Sequence, residues 1–153
     1  MSPAIRHGTT VAAIVAIAVA GCGWSHKPTP TEQQQVEQVL RSYLRAQTSG
    51  DGQTACSLLT DPAQRQLEAL VLQAGKGLLT ARPSCQDAVG LVHAVAGTKL
   101  LDALSKVQIT QVRVQGNNAA AEIIDGTAFG QQQVSLQRSG STWQIAGVPA
   151  LTG

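Results

Sequence analysis

Val107-Gln108-Ile109-Thr110-Gln111-Val112-Arg113-Val114 is the stretch on which the fold turns. Val107 and Ile109 alternate with polar residues, the period of a strand with one face buried. Val112 and Val114 alternate as well, but in the opposite phase. An extra residue near Thr110 and Gln111 reconciles the two phases, so a β-bulge that bends the strand is expected there. Downstream, Gly116-Asn117-Asn118 and Ser139-Gly140-Ser141 read as turns, and Gly126 separates two further runs, residues 119–125 and 129–138. Residues 142–148 close the series, with Trp143 and Ile145 on one face. Three successive hairpins make a four-stranded antiparallel meander.

Upstream the period is helical. Thr29-Pro30-Thr31-Glu32 carries a capping Thr, Pro at the first helical position and an acid at the third. Val36, Val39, Leu40, Tyr43 and Leu44 then share one face. Gly50 and Gly52, flanking Asp51, end that helix, and residues 54–59 form a short second one with Cys56, Leu58 and Leu59. Asp61-Pro62 starts a third, striped by Leu67, Leu70 and Val71 and broken at Gly75-Lys76-Gly77. A fourth begins at Ser84, carries Cys85, Val89, Val92 and Ala96, and stops near Gly97. Leu100, Leu101 and Leu104 fit either a turn of helix or a loop. Helices first and strands afterwards predict an α+β fold, its N-terminal helices packed on one face of the meander.

The chain begins differently. Arg6 and His7 precede an uncharged apolar run, and residues 9–21 would make a helix of roughly 20 Å. A membrane span needs about 20 residues, so this reads as the h-region of a signal peptide. The run ends in Val19-Ala20-Gly21-Cys22, which resembles the lipobox of bacterial lipoproteins: a branched apolar residue, a small residue, Gly, then Cys. The resemblance implies cleavage after Gly21 and a covalent diacylglycerol on the Cys22 thiol, with no other cofactor. It implies an exported protein held at the cell membrane or envelope by its lipid. Residues 1–21 are then signal, residues 22–30 a Gly-, Ser- and Pro-containing tether, and residues 31–153 the folded domain. From Gly23 to Pro30 the tether reaches at most about 25 Å, and Trp24 and Lys27 suit the membrane interface.

Composition narrows the chemistry. The 153 residues fit a single domain; eleven basic and nine acidic side chains leave a formal charge of +2, with 3% aromatic content. That offers neither a basic footprint nor a stacking surface for nucleic acid. With Cys22 taken by lipid, Cys56 and Cys85 are left as a pair in an oxidising compartment, and a disulfide between them is expected. It would tie the second helix to the fourth and stabilise by about 3–4 kcal/mol in the loop-entropy model. The alternative is a catalytic thiol at Cys85 served by His93 two turns on, although spacing alone does not establish that contact. Metal binding lacks ligands, since His7, His26 and His93 are scattered and no paired His or Cys spacing occurs. Gly75-Lys76-Gly77 lacks the remaining residues of a phosphate loop.

Several short stretches in order are similar to the NTF2-like superfamily over residues 30–148. They are Val39-Leu40-Arg41-Ser42-Tyr43-Leu44, Ser49-Gly50-Asp51-Gly52, Ala55-Cys56-Ser57-Leu58-Leu59-Thr60, Cys85-Gln86-Asp87-Ala88-Val89 and Gly140-Ser141-Thr142-Trp143-Gln144-Ile145. The resemblance implies a cone in which a curved sheet wraps helices around an apolar cavity. Val36, Leu40, Tyr43, Phe129, Trp143 and Ile145 would line it. Cones of this kind serve as enzymes, ligand pockets and dimerisation modules, so the fold leaves function open. The polar residues able to enter the cavity are Tyr43, Asp102, Glu122 and Asp125, and each has an ordinary structural role as well. The expectation is a non-catalytic domain that binds a small apolar ligand or a protein partner. A dehydratase- or isomerase-like cone enzyme and a module forming a homodimer through its sheet are the alternatives.

Overall fold

The computed structural model describes residues 30–124 and 130–148. The lipobox with Cys22, the tether ahead of Pro30, Asp125, Phe129 and the last five residues lie outside them.

Thr31 opens the first helix, α1 (Glu32–Ser49). Its Oγ1 accepts the Gln34 N–H at 3.3 Å, while Gln34 Oε1 accepts the Thr31 N–H at 2.8 Å. Sequence spacing puts the cap at Thr29. The reciprocal pair satisfies two helix-end donors at once and moves the start to Glu32. Gly50 ends α1 in the left-handed region at φ 72°, and the Asp51 side chain then caps α2 (Gly52–Ser57). That second helix starts two residues earlier than the composition suggests, because the Asp51 carboxylate takes the Thr54 N–H at 3.0 Å.

Thr60, not Asp61, caps α3 (Asp61–Ala74), and Ser84 caps α4 (Cys85–Val95) as expected. Residues 98–105, open between helix and loop by sequence, form a helix, α5 (Thr98–Ser105). Cys56 and Cys85 are joined in a disulfide that ties α2 to α4. Beside it the helices approach so closely that a Cβ on Gly52 would lie 2.7 Å from the Gln86 carbonyl oxygen.

The strands are β1 (Gln108–Gln115), β2 (Asn118–Ile124), β3 (Gln131–Ser139) and β4 (Thr142–Ile145). They pair antiparallel in chain order as an open four-stranded sheet. The last strand stops at Ile145, three residues short of the expected end. The bulge falls where the phase slips: Thr110 pairs with Glu122 and Arg113 with Ala120, so Gln111 and Val112 together face the single residue Ala121. Gln111 takes φ 50° there. The extra residue lets Ile109 and Val112 both pack against the core despite their opposite phases.

One face of the sheet carries the buried row Ala119, Ala121, Val134, Leu136, Trp143 and Ile145. Val36, Leu40 and Tyr43 of α1 join it in a single core cluster, together with Ala55, Leu59, Leu67 and Val89 from the other helices. The outer edge of β4 does not stay open. The Ile145 N–H donates to Leu58 O at 2.8 Å and the Thr60 N–H to Ile145 O at 2.9 Å, so residues 58–60 run along it. That covers the backbone groups an edge strand would otherwise expose.

Candidate functional site

Gln35, Gln38, Val39 and Ser42 recur at helical spacing and form one stripe of α1, next to the stripe that enters the core. Leu58 and the β3–β4 turn, through Ser141, Thr142 and Trp143, bring a second wall against this stripe. Between them lies an open surface groove of about 310 Å³. Neutral amides and hydroxyls rim it, and Val39, Leu58 and Trp143 supply its apolar surface.

Trp143 links the groove to the interior. The residue is 3% exposed and belongs to the core cluster. The Arg138 guanidinium lies 4.6 Å from the ring centroid. Arg138 also pairs with Glu32 at the start of α1. The indole Nε1 and the Arg138 Nε are both buried without an acceptor among the described residues. Unpaired buried donors of this kind are uncommon and mark a place where an acceptor-bearing group would be welcome.

The other expected cavity residues are placed differently. Val36, Leu40, Tyr43 and Ile145 are core side chains, and none of them lines the groove. The Tyr43 hydroxyl accepts a hydrogen bond from Gln47 Nε2 at 2.8 Å. Burial pushes its pKa up to about 12, against a smaller opposing effect of the Gln47 bond, so the phenol is neutral at physiological pH. Asp102 is exposed on α5 and paired with Lys106 at 2.6 Å. Glu122 accepts from Gln131 Nε2 at 2.6 Å. The Asp51 carboxyl is held below its ordinary range by hydrogen bonds from Thr54, an exposed helix cap rather than a reacting group.

The Cys85 sulfur is bonded to Cys56, so Cys85 offers no thiol for His93 to serve. The His93 ring instead packs against Gly50, and its Nδ1 is buried without a partner among the described residues. Among the described residues no three His, Cys, Asp or Glu side chains gather where a metal could sit.

Sequence reading missed Gln35, Gln38, Val39, Ser42, Leu58, Ser141 and Thr142. Two glutamines and a serine on a helix look like any solvated face until Trp143 is brought beside them from more than a hundred residues away. Compared with family models, curated proteins and solved structures, the chain finds no match in any of the three.

Proposed function

We propose that the chain is an exported lipoprotein, acylated on Cys22 and held at the membrane of the cell envelope, whose domain over residues 31–153 is a non-catalytic NTF2-like binding module. The lipobox residues support the anchor. The Cys56–Cys85 bond suits an oxidising compartment. The bulged meander carrying helices on one face supports the cone.

The observation that carries the binding reading is the apolar packing between α1 and the sheet among the described residues. The space between α1 and the sheet is occupied by Val36, Leu40, Tyr43, Leu136, Trp143 and Ile145, and the Tyr43 hydroxyl is satisfied by Gln47 rather than by a carboxylate. A dehydratase- or isomerase-like cone would need a desolvated acid or base facing a cavity. Recognition therefore falls to the surface, and the groove between α1 and the β3–β4 turn serves a protein partner.

Native co-purification of the intact protein from the envelope tests this. A stoichiometric partner that is retained by the wild type and lost on Val39→Arg is the expected result. Turnover of any substrate that disappears specifically on Glu122→Gln would overturn the non-catalytic reading. Intact mass of the membrane-derived protein should show the acyl chains on Cys22.

A further inference from the structure

Leu91, Val92 and Val95 on α4 and Leu100, Leu101 and Leu104 on α5 belong neither to the core nor to the partly buried side chains packed on it. Val95 is 81% exposed, and the other five are half-buried. The two helices meet at a bend of 113°. Residues 88–105 contain only two charged side chains, Lys99 and Asp102. The result is a bent, charge-poor corner at which Val95 is exposed and five further apolar side chains are partly exposed.

We infer that this corner is a membrane-contact surface, resting in the headgroup region of a bilayer while the lipid on Cys22 anchors the opposite end of the domain. The position of the anchor rests on the lipoprotein reading above; the corner itself is read from the structure alone.

Size argues against a second copy of the chain. With only Val95 largely exposed, the apolar area is on the order of 300–400 Å², against roughly 800 Å² per partner in a stable dimer. Length argues against insertion through the bilayer. Helices of 11 and 8 residues span roughly 16 and 12 Å, far short of the roughly 30 Å hydrocarbon core. Short helices with an exposed apolar face can lie in the interface instead.

Charge agrees with an anionic lipid surface. Asp102 is paired with Lys106 at 2.6 Å, which leaves Lys99 on the same helix to meet a phosphate headgroup. The position of the tether agrees too. Pro30 precedes the first turn of α1, and His93 rests on Gly50 at the other end of that helix. Pro30, where the tether joins the domain, and His93 of α4 thus sit at opposite ends of α1, a helix about 27 Å long. A tether reaching at most about 25 Å lets the domain lie with α1 along the membrane, held at both ends.

The test is hydrogen–deuterium exchange of the full chain on phosphatidylethanolamine–phosphatidylglycerol vesicles, comparing wild type with Val95→Asp/Leu101→Asp. Wild-type amides over residues 91–104 should exchange about tenfold more slowly than those of the variant. Lys99→Glu, which leaves the apolar surface intact, should weaken the slowing on these vesicles but not on phosphatidylcholine. Thermal melts of each variant establish that it is folded.

Equal exchange in wild type and variant, with both floating on the vesicles, overturns the inference and leaves the anchor standing. Slowing that grows with protein density on the vesicle points to a second copy and overturns it too. An unmodified Cys22 would sink the anchor instead. Flotation that Val95→Asp/Leu101→Asp abolishes would then still support the corner, and no wild-type flotation would overturn it.

Discussion

The Arg138 guanidinium lies over the Trp143 ring from the facing position on the neighbouring strand, 4.6 Å from its centroid, while its Nη2 pairs with Glu32. One arginine therefore closes the end of the core where α1 begins. Trp143→Ala should cost about 3–5 kcal/mol, because a buried indole is deleted from a packed cluster. Arg138→Met should cost about 1 kcal/mol, since half-exposed cation–π and ion-pair contacts are weak. Trp143→Phe should cost far less than Trp143→Ala, because a ring still fills most of the site and leaves a smaller cavity. Urea melts of the three variants check the order.

Tyr43 should make the fold sensitive to alkali. The folded-state pKa of about 12 lies above the ordinary value of 10.0 that the unfolded chain should show. The neutral phenol's contribution is thus full below pH 10 and is lost as pH rises through about 12. It is worth about 2–3 kcal/mol across that window. Tyr43→Phe should remove this alkaline loss. At neutral pH it should itself cost about 1–3 kcal/mol, because the buried Gln47 amide loses its acceptor. Denaturant midpoints measured at pH 8 and pH 11 for both proteins separate the two effects.

Reducing the Cys56–Cys85 bond, or replacing both residues with Ala, should lower stability by about 3–4 kcal/mol. Alkylation followed by intact-mass measurement should find no free thiol at either position in the native protein. Two alkylated sites there would remove the disulfide from the account.

Gly50→Ala should destabilise by about 1–2 kcal/mol from its left-handed backbone alone. The new Cβ would also lie 3.0 Å from the His93 ring. Adding His93→Ala should recover only the steric part, so a double-mutant cycle should show coupling between the two positions.

At the bulge the opposite sign is expected. Gln111 is a non-glycine residue at φ 50°. Gln111→Gly should stabilise by up to about 1 kcal/mol, reduced by the greater freedom of glycine in the unfolded chain. Gln111→Val should destabilise, since a branched side chain is poorly accommodated there. Thermal melts against wild type decide the signs.

What could be read from the residues in order was whatever depends on near neighbours. The phase slip between Ile109 and Val112 located the bulge, because a strand presents alternate residues to opposite faces and a buried face tolerates no error in that count. Turn residues at Gly116 and Gly140 marked two hairpins, and Ser84 announced α4. Cys56 and Cys85, the two cysteines within the helical stretch, were left to each other, and they pair. Caps were less certain: Thr29 and Thr31 are equally good by type, and only the returning Gln34 side chain chose between them.

Tertiary structure alone decided what lies opposite what. Periodicity shows that Val36, Leu40 and Tyr43 face inward, but not whether the sheet meets them or stands off to leave a cavity. Among the described residues they share one core cluster with Leu136, Trp143 and Ile145, and a groove opens at the surface beside Trp143. Nor does spacing tell which apolar helix faces find a partner: Leu67 is buried, whereas Val95, with equal hydrophobic character, stays exposed. Burial is a property of the whole packing, and a side chain's own neighbours in sequence carry too little of it to settle the matter.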